Sequence, residues 1–142
     1  METLNNNNEK VKIDSNSIYA TGRRKRSIAK VWLKKGSGKI IVNGKNLDNY
    51  FKRDIYQMQV LRPFEIINQS TDYDVNCKVI GGGLTGQAGA LVHGISKALV
   101  QINSDLKSTL KKEKLTTRDS RSVERKKPGR AKARKSYQFS KR

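Results

Sequence analysis

The final 25 residues limit what this chain can fold into more than any other stretch. Residues 118–142 carry 11 Lys or Arg against only Asp119 and Glu124, and five apolar side chains: Val123, Ala131, Ala133, Tyr137 and Phe139. So little apolar surface cannot offset the entropy of ordering, so this tail is expected to stay extended and mobile in water. Folding is thereby confined to what precedes it. Residues 1–17, with the run Asn5-Asn6-Asn7-Asn8, also lack apolar periodicity and read as a disordered extension. About 100 residues, 18–117, remain for one small globular domain with a modest core.

Within that span the periodicities are clear. Order is expected to begin near Ile18, and Gly22-Arg23-Arg24-Lys25-Arg26 reads as a loop because four cations follow a glycine. Ala29, Val31 and Leu33 alternate with Lys30 and Lys34, which predicts a half-buried strand over 28–34. Gly36-Ser37-Gly38 turns the chain into a short strand over 39–42, and Asn43-Gly44 supplies another tight turn. A short helix is expected over 54–61, with Ile55, Met58 and Leu61 on one side and Arg62-Pro63 interrupting it. Tyr73, Val75, Cys77 and Val79 alternate with Asp74, Asn76 and Lys78, giving a strand over 73–80. Ala88, Leu91, Val92, Ile95, Leu99 and Ile102 recur at helical spacing, so the principal amphipathic helix covers 86–101. A further helix follows over 104–112, with Ser104 at its cap. Strands and helices in this order suggest an α/β two-layer sandwich: one mostly four-stranded sheet with helices on one face.

Charge narrows the function. The formal net charge is +19, and a surplus of that size bears on partners rather than on fold. A polyphosphate partner is the first candidate, because each Lys or Arg that neutralises a phosphate releases condensed counterions. An anionic membrane surface is the second, but no apolar run approaches the roughly 20 residues of a bilayer span. The amino terminus does not resemble a secretory signal. One cysteine, Cys77, and one histidine, His93, exclude a disulfide framework and a zinc-finger ligand set within the chain. A reducing cytosol is the expected setting, and no metal or other cofactor is expected.

Three features invite a sharper reading. Gly81-Gly82-Gly83-Leu84-Thr85-Gly86 formally satisfies G-x-G-x-x-G, with Asp105 at a distance that mimics a ribose-binding acid. Its context argues against a dinucleotide site: the preceding strand alternates, whereas the central strand of such a fold is apolar on both faces. The glycines are expected to form a tight turn and to let the helix approach the sheet; the amides at its start could also receive an RNA phosphate. His93 lies on the helix side opposite Leu91, Ile95 and Leu99, where a solvated or RNA-facing role is expected, and no Ser or Cys is placed to form a nucleophile pair with it. The chain is therefore not expected to be an enzyme and has no expected small-molecule substrate. Cys77 is expected to be a buried structural thiol. Trp32 shares a face with Lys30 and Lys34; packing against a neighbouring element and stacking on a base both remain open.

The candidate phosphate-contacting cations fall into two groups. One is Arg23, Arg24, Lys25 and Arg26; the other is Arg118, Arg121, Arg125, Lys126, Lys127, Arg130, Lys132, Arg134 and Lys135. Small residues among the latter (Gly129, Ala131, Ala133) let an extended backbone approach a nucleic acid closely. Composition does not choose between RNA and DNA, and a DNA-compacting architectural protein remains an alternative.

Ordered motifs make that choice. Tyr19-Ala20-Thr21-Gly22-Arg23-Arg24-Lys25, Gly38-Lys39-Ile40-Ile41-Val42-Asn43-Gly44 and Gly81-Gly82-Gly83-Leu84-Thr85-Gly86-Gln87-Ala88-Gly89-Ala90 resemble the family of the bacterial-type ninth protein of the small ribosomal subunit. Thr117-Arg118-Asp119, Val123-Glu124-Arg125-Lys126-Lys127 and the closing Gln138-Phe139-Ser140-Lys141-Arg142 resemble it too. The resemblance covers residues 18–142, and Pro128-Gly129-Arg130-Ala131 falls where the family varies. It implies a two-layer α/β core with a left-handed crossover, against the usual right-handed preference. It further implies a structural constituent of the small-subunit head, with small-subunit ribosomal RNA and neighbouring head proteins as partners and no membrane. The two cation groups would bind ribosomal RNA, and Ser140, Lys141 and Arg142 would contact the anticodon stem of peptidyl-site tRNA. An extended chain from Glu124 to Arg142 spans about 60 Å at roughly 3.3 Å per residue. The implied location is the cytoplasmic ribosome, with an organelle retaining a bacterial-type ribosome as the other open source.

Overall fold

A computed structural model describes residues 16–68 and 72–140. The extension 1–17 lies outside the described residues except for Asn16 and Ser17, as do Lys141 and Arg142. The chain runs β1 (Ile18–Arg24), β2 (Ser27–Lys35), β3 (Ile40–Val42), β4 (Lys45–Asn46), α1 (Leu47–Tyr50), α2 (Asp54–Ile66), β5 (Tyr73–Ile80), α3 (Leu84–Ile102) and α4 (Leu106–Lys112). The strands form one five-stranded sheet in the order β1-β2-β5-β3-β4. All neighbours are antiparallel except β3 and β5, which run parallel. This is the expected sandwich, with the two-residue β4 as a fifth strand.

The alternating strands form as their patterns dictate. In β2, Ala29, Val31 and Leu33 are fully buried while Lys30 and Lys34 are exposed, and β5 buries Tyr73, Val75, Cys77 and Val79 on the same side. The Cys77 thiol donates to the Ile41 carbonyl at 3.1 Å, and burial pushes it up to about 12. It is the structural thiol expected. Asn43 and Gly44 take left-handed φ values of 50° and 76°, the geometry of a tight hairpin between β3 and β4. Asp74 accepts from the Ser37 and Lys39 amides at 2.8 and 2.9 Å, which fixes the loop ahead of β3.

Helix α3 covers β1 and β2 on one face of the sheet and meets α2 on its other side. It buries Ala88, Leu91, Ile95, Ala98 and Leu99, the predicted stripe widened by the second contact. Its approach to β1 is close enough to require Gly22. A Cβ there would lie 1.9 Å from the Ala90 carbonyl oxygen and 2.3 Å from the Gly94 nitrogen. The loop before α3 is the tight turn anticipated, with Gly81 and Gly82 at φ 75° and 59° and the Ser27 hydroxyl donating to the Gly81 carbonyl. Its preceding strand lies between antiparallel β2 and parallel β3, so the sheet is not a doubly wound nucleotide-binding one.

Three local expectations are overturned. Gly22, Arg23 and Arg24 belong to β1 rather than to a loop, because Arg23 pairs with Ile28 and Arg24 with Ser27 in a two-residue hairpin. Only Lys25 and Arg26 form the turn. Helix α2 continues through Pro63 to Ile66, although the proline removes the amide that would reach Gln59. Burial of Val60, Pro63 and Phe64 against the core outweighs that loss, and it also turns the helix so that Ile55 and Met58 stand 62% and 66% exposed. Finally, α4 starts at Leu106 with Asp105 at its cap position and no side-chain capping bond, so Ser104 does not cap it. The Asn103 side chain instead accepts from the Asp105 amide at 3.0 Å.

Candidate nucleic-acid interface

The outer edge of β1 is where fold and charge meet. An edge strand leaves backbone donors and acceptors unpaired, and α3 supplies partners for two of them. Lys97 Nζ donates to the Thr21 carbonyl at 3.1 Å, and the Arg23 amide donates to His93 Nδ1 at 3.2 Å. His93 is thus held in place, not simply solvated. Burial depresses its pKa below the ordinary histidine value, Lys97 adds to the effect, and a hydrogen bond to the Thr116 backbone opposes it. No local pattern signals this role, since the partner amide is 70 residues away.

Beside this edge opens a cleft of about 530 Å³. Arg23 and Arg24 from β1 line it together with Arg118 and Arg121, so the structure joins the hairpin cations to the start of the basic segment. Two further cations complete it: Arg62 from α2 and Lys114 just beyond α4. Sequence reasoning missed both, because each is an isolated charge and only the packing of α2, α3 and α4 brings them to the site. Arg24 lies over Gly89 of α3, where a Cβ would sit 2.2 Å from its Cδ. Its Nε is buried without a hydrogen-bond partner, as is Gln59 Oε1.

Few acids offset these charges. Asp119 accepts from Arg121 Nε at 3.0 Å, from an Arg121 terminal nitrogen at 2.9 Å and from the Arg121 amide at 3.0 Å, and it lies 3.7 Å from Arg24. Those Arg121 contacts, with the charge of Arg24, hold its carboxyl well below the usual carboxylate range. Arg62 pairs with Glu113 at 2.7 Å.

The remaining candidates do not reach this cleft. Lys25 lines a neighbouring hollow with Arg24, Asp119 and Arg121, whereas Arg26 lines neither. Arg125, Lys126, Lys127, Arg130, Lys132, Arg134 and Lys135 form a separate group downstream. Glu124 pairs there with Lys127 and, at 3.0 Å, with Arg134, and both contacts lower its pKa. The Ala131 amide donates to the Lys135 carbonyl at 2.9 Å, and Arg130 donates to the Arg134 carbonyl at 2.8 Å. Ser140 is exposed, while Lys141 and Arg142 lie outside the described residues.

These features define a class: a small mixed α/β protein with a cationic cleft at one sheet edge and a basic segment leading away from it. The family model described as Ribosomal protein S9/S16 matches residues 22–142, and the chain belongs to that family. It is a ribosomal protein, and its role is that of a structural constituent of the ribosome in translation. No helix among the described residues is long and apolar enough to cross a membrane.

Proposed function

We propose that this protein is a bacterial-type component of the small-subunit head that binds ribosomal RNA through the cleft at the β1 edge and through the basic segment beyond it. The observation that carries this reading is the convergence of Arg23, Arg24, Arg62, Lys114, Arg118 and Arg121 on one cleft, with Arg24 Nε buried and unpaired. A buried guanidinium nitrogen without a partner is costly, and a phosphate oxygen would satisfy it. The hairpin tip supports the reading. Lys25 holds φ 52°, a region that favours glycine or asparagine, so local preference does not account for a lysine there.

Phosphate neutralisation by the cleft and by residues 125–135 releases counterions and anchors the chain, without reading base sequence. Glu124 and Asp119 hold part of the segment in place before RNA arrives, and phosphates compete for their arginines. The carboxyl terminus, through Ser140, Lys141 and Arg142, then contacts the anticodon stem of peptidyl-site tRNA, and neighbouring head proteins pack on the body. No step requires a catalytic group, a cofactor or a metal.

Sedimentation tests the placement: the protein is expected in the small-subunit fractions of a lysate at physiological salt, and its recovery on chromosomal DNA would overturn the reading. Deleting Ser140, Lys141 and Arg142 tests the tRNA contact. Incorporation should survive and tRNA should leave the peptidyl site faster, whereas an unchanged off-rate would make the terminus an RNA anchor only.

A further inference from the structure

The sheet has a second face, and no helix among the described residues covers it. The strand registers place Tyr19, Trp32 and Asn76 side by side in one row across β1, β2 and β5. The adjacent row is Thr21, Lys30 and Lys78. Tyr19 is 45% exposed, and its ring lies 5.4 Å from that of the partly exposed Trp32. Asn76 Oδ1 is buried without a hydrogen-bond partner.

Lys30 and Lys78 stand directly opposite each other on neighbouring strands, an arrangement of like charges that destabilises a sheet unless something anionic answers it. Neither has an acidic partner among the described residues. The strands bring one acid to this face, Asp74; its Oδ1 accepts from the Ser37 and Lys39 amides, and its cross-strand neighbour is Lys34 rather than Lys30 or Lys78. The face therefore offers two aromatic rings and two uncompensated cations, with an unpaired amide oxygen beneath them.

We infer that this open face binds an unpaired stretch of RNA, with a base stacked on Trp32 and Tyr19 and phosphates set against Lys30 and Lys78. Single-stranded RNA is characteristically recognised by aromatic side chains on a sheet, whereas a duplex keeps its base faces stacked and withheld. A protein partner fits less well, because the cores of such interfaces are depleted in lysine. The inference rests on the RNA-binding reading above but concerns a surface separate from the cleft and from the basic segment.

Trp32 is the only tryptophan in the chain, so its emission reports directly on this face. Titrating the full chain with a mixed-sequence single-stranded RNA octamer should quench that emission saturably. The midpoint should match the one given by anisotropy of the same octamer carrying an end label. An RNA duplex of equal length should bind without quenching. Trp32→Ala should weaken octamer binding about tenfold and leave duplex binding unchanged, and Trp32→Phe should retain most of the affinity. Should Trp32→Ala not fold, Lys30→Gln with Lys78→Gln provides the alternative on exposed positions. That pair should lower the octamer's log–log salt slope by about 1.4. Octamer binding by anisotropy with no change in Trp32 emission would overturn the inference and leave the RNA-binding reading intact. Failure of both RNAs to bind would remove that reading first. Crosslinking of Trp32 to a protein rather than to RNA in assembled subunits would give this face to a protein neighbour and also overturn the inference.

Discussion

Phe51, Phe64 and Leu33 are fully or almost fully buried in the body of the protein, whereas the principal side-chain contacts of residues 118–140 are exposed ion pairs around Asp119 and Glu124. The body is held by apolar contacts that salt does not screen and that an outside ligand cannot replace. The segment is held by charges that are screened within about 10 Å at 0.1 M salt and that a phosphate can replace. One region keeps its shape by packing; the other rests on contacts that salt or another anion can exchange.

Four perturbations separate the two regions. The largest effect should come from removing residues 118–142. If about eight of its cations meet phosphates, the log–log salt dependence of RNA affinity should lose about six to seven units while the thermal unfolding of the body is little changed. A truncation that leaves the slope intact would move the binding surface to the body. Next is Gly22→Ala, which drives a methyl group into the α3 backbone and should cost about 3 kcal/mol in denaturant melts without altering the salt slope. A neutral result would mean that α3 can shift away from β1.

The third concerns His93, whose pKa is lowered in the folded state. A lowered histidine pKa means the unfolded chain takes up a proton first. The contribution of His93 is therefore fully present above the unfolded value of 6.5 and is lost as pH falls through the folded pKa. The carboxylates with lowered pKa values, Asp74, Asp119 and Glu124, lose their contributions at more acidic pH. Melts between pH 7.5 and 5 should thus show a decline that His93→Gln removes; a decline unchanged in that variant would assign it elsewhere. The smallest effect should come from Glu124→Gln. It frees Lys127 and Arg134, so the melting temperature should stay constant while RNA affinity rises slightly, because exposed pairs contribute little to stability. A clear drop in melting temperature would show that the segment supports the body.

Much of the body was legible because its signals are local. The alternation in β2 and β5 and the helical spacing from Ala88 to Ile102 each report a face that one element buries. The readings that failed depended on distant partners. Nothing near Ile55 and Met58 shows that Val60, Pro63 and Phe64 will take the inward face of α2, since that choice is made by α3. Arg23 and Arg24 look like loop residues until β2 pairs with them. The cleft was half legible for the same reason: clustered cations stand out in a sequence, whereas Arg62 and Lys114 gain meaning only from how α2, α3 and α4 pack.

The β1 edge, met by His93 and Lys97, bears on how copies of this chain treat one another. A bare edge is a template on which a second molecule can add a strand and begin a chain of aggregation. Here one of its amides and one of its carbonyls are already taken from within the molecule, and the opposite edge, β4, is only two residues long. Neither border of the sheet gives a newcomer a long row of free groups. Strand addition from copy to copy is thereby disfavoured, and a net charge of +19 adds repulsion between copies.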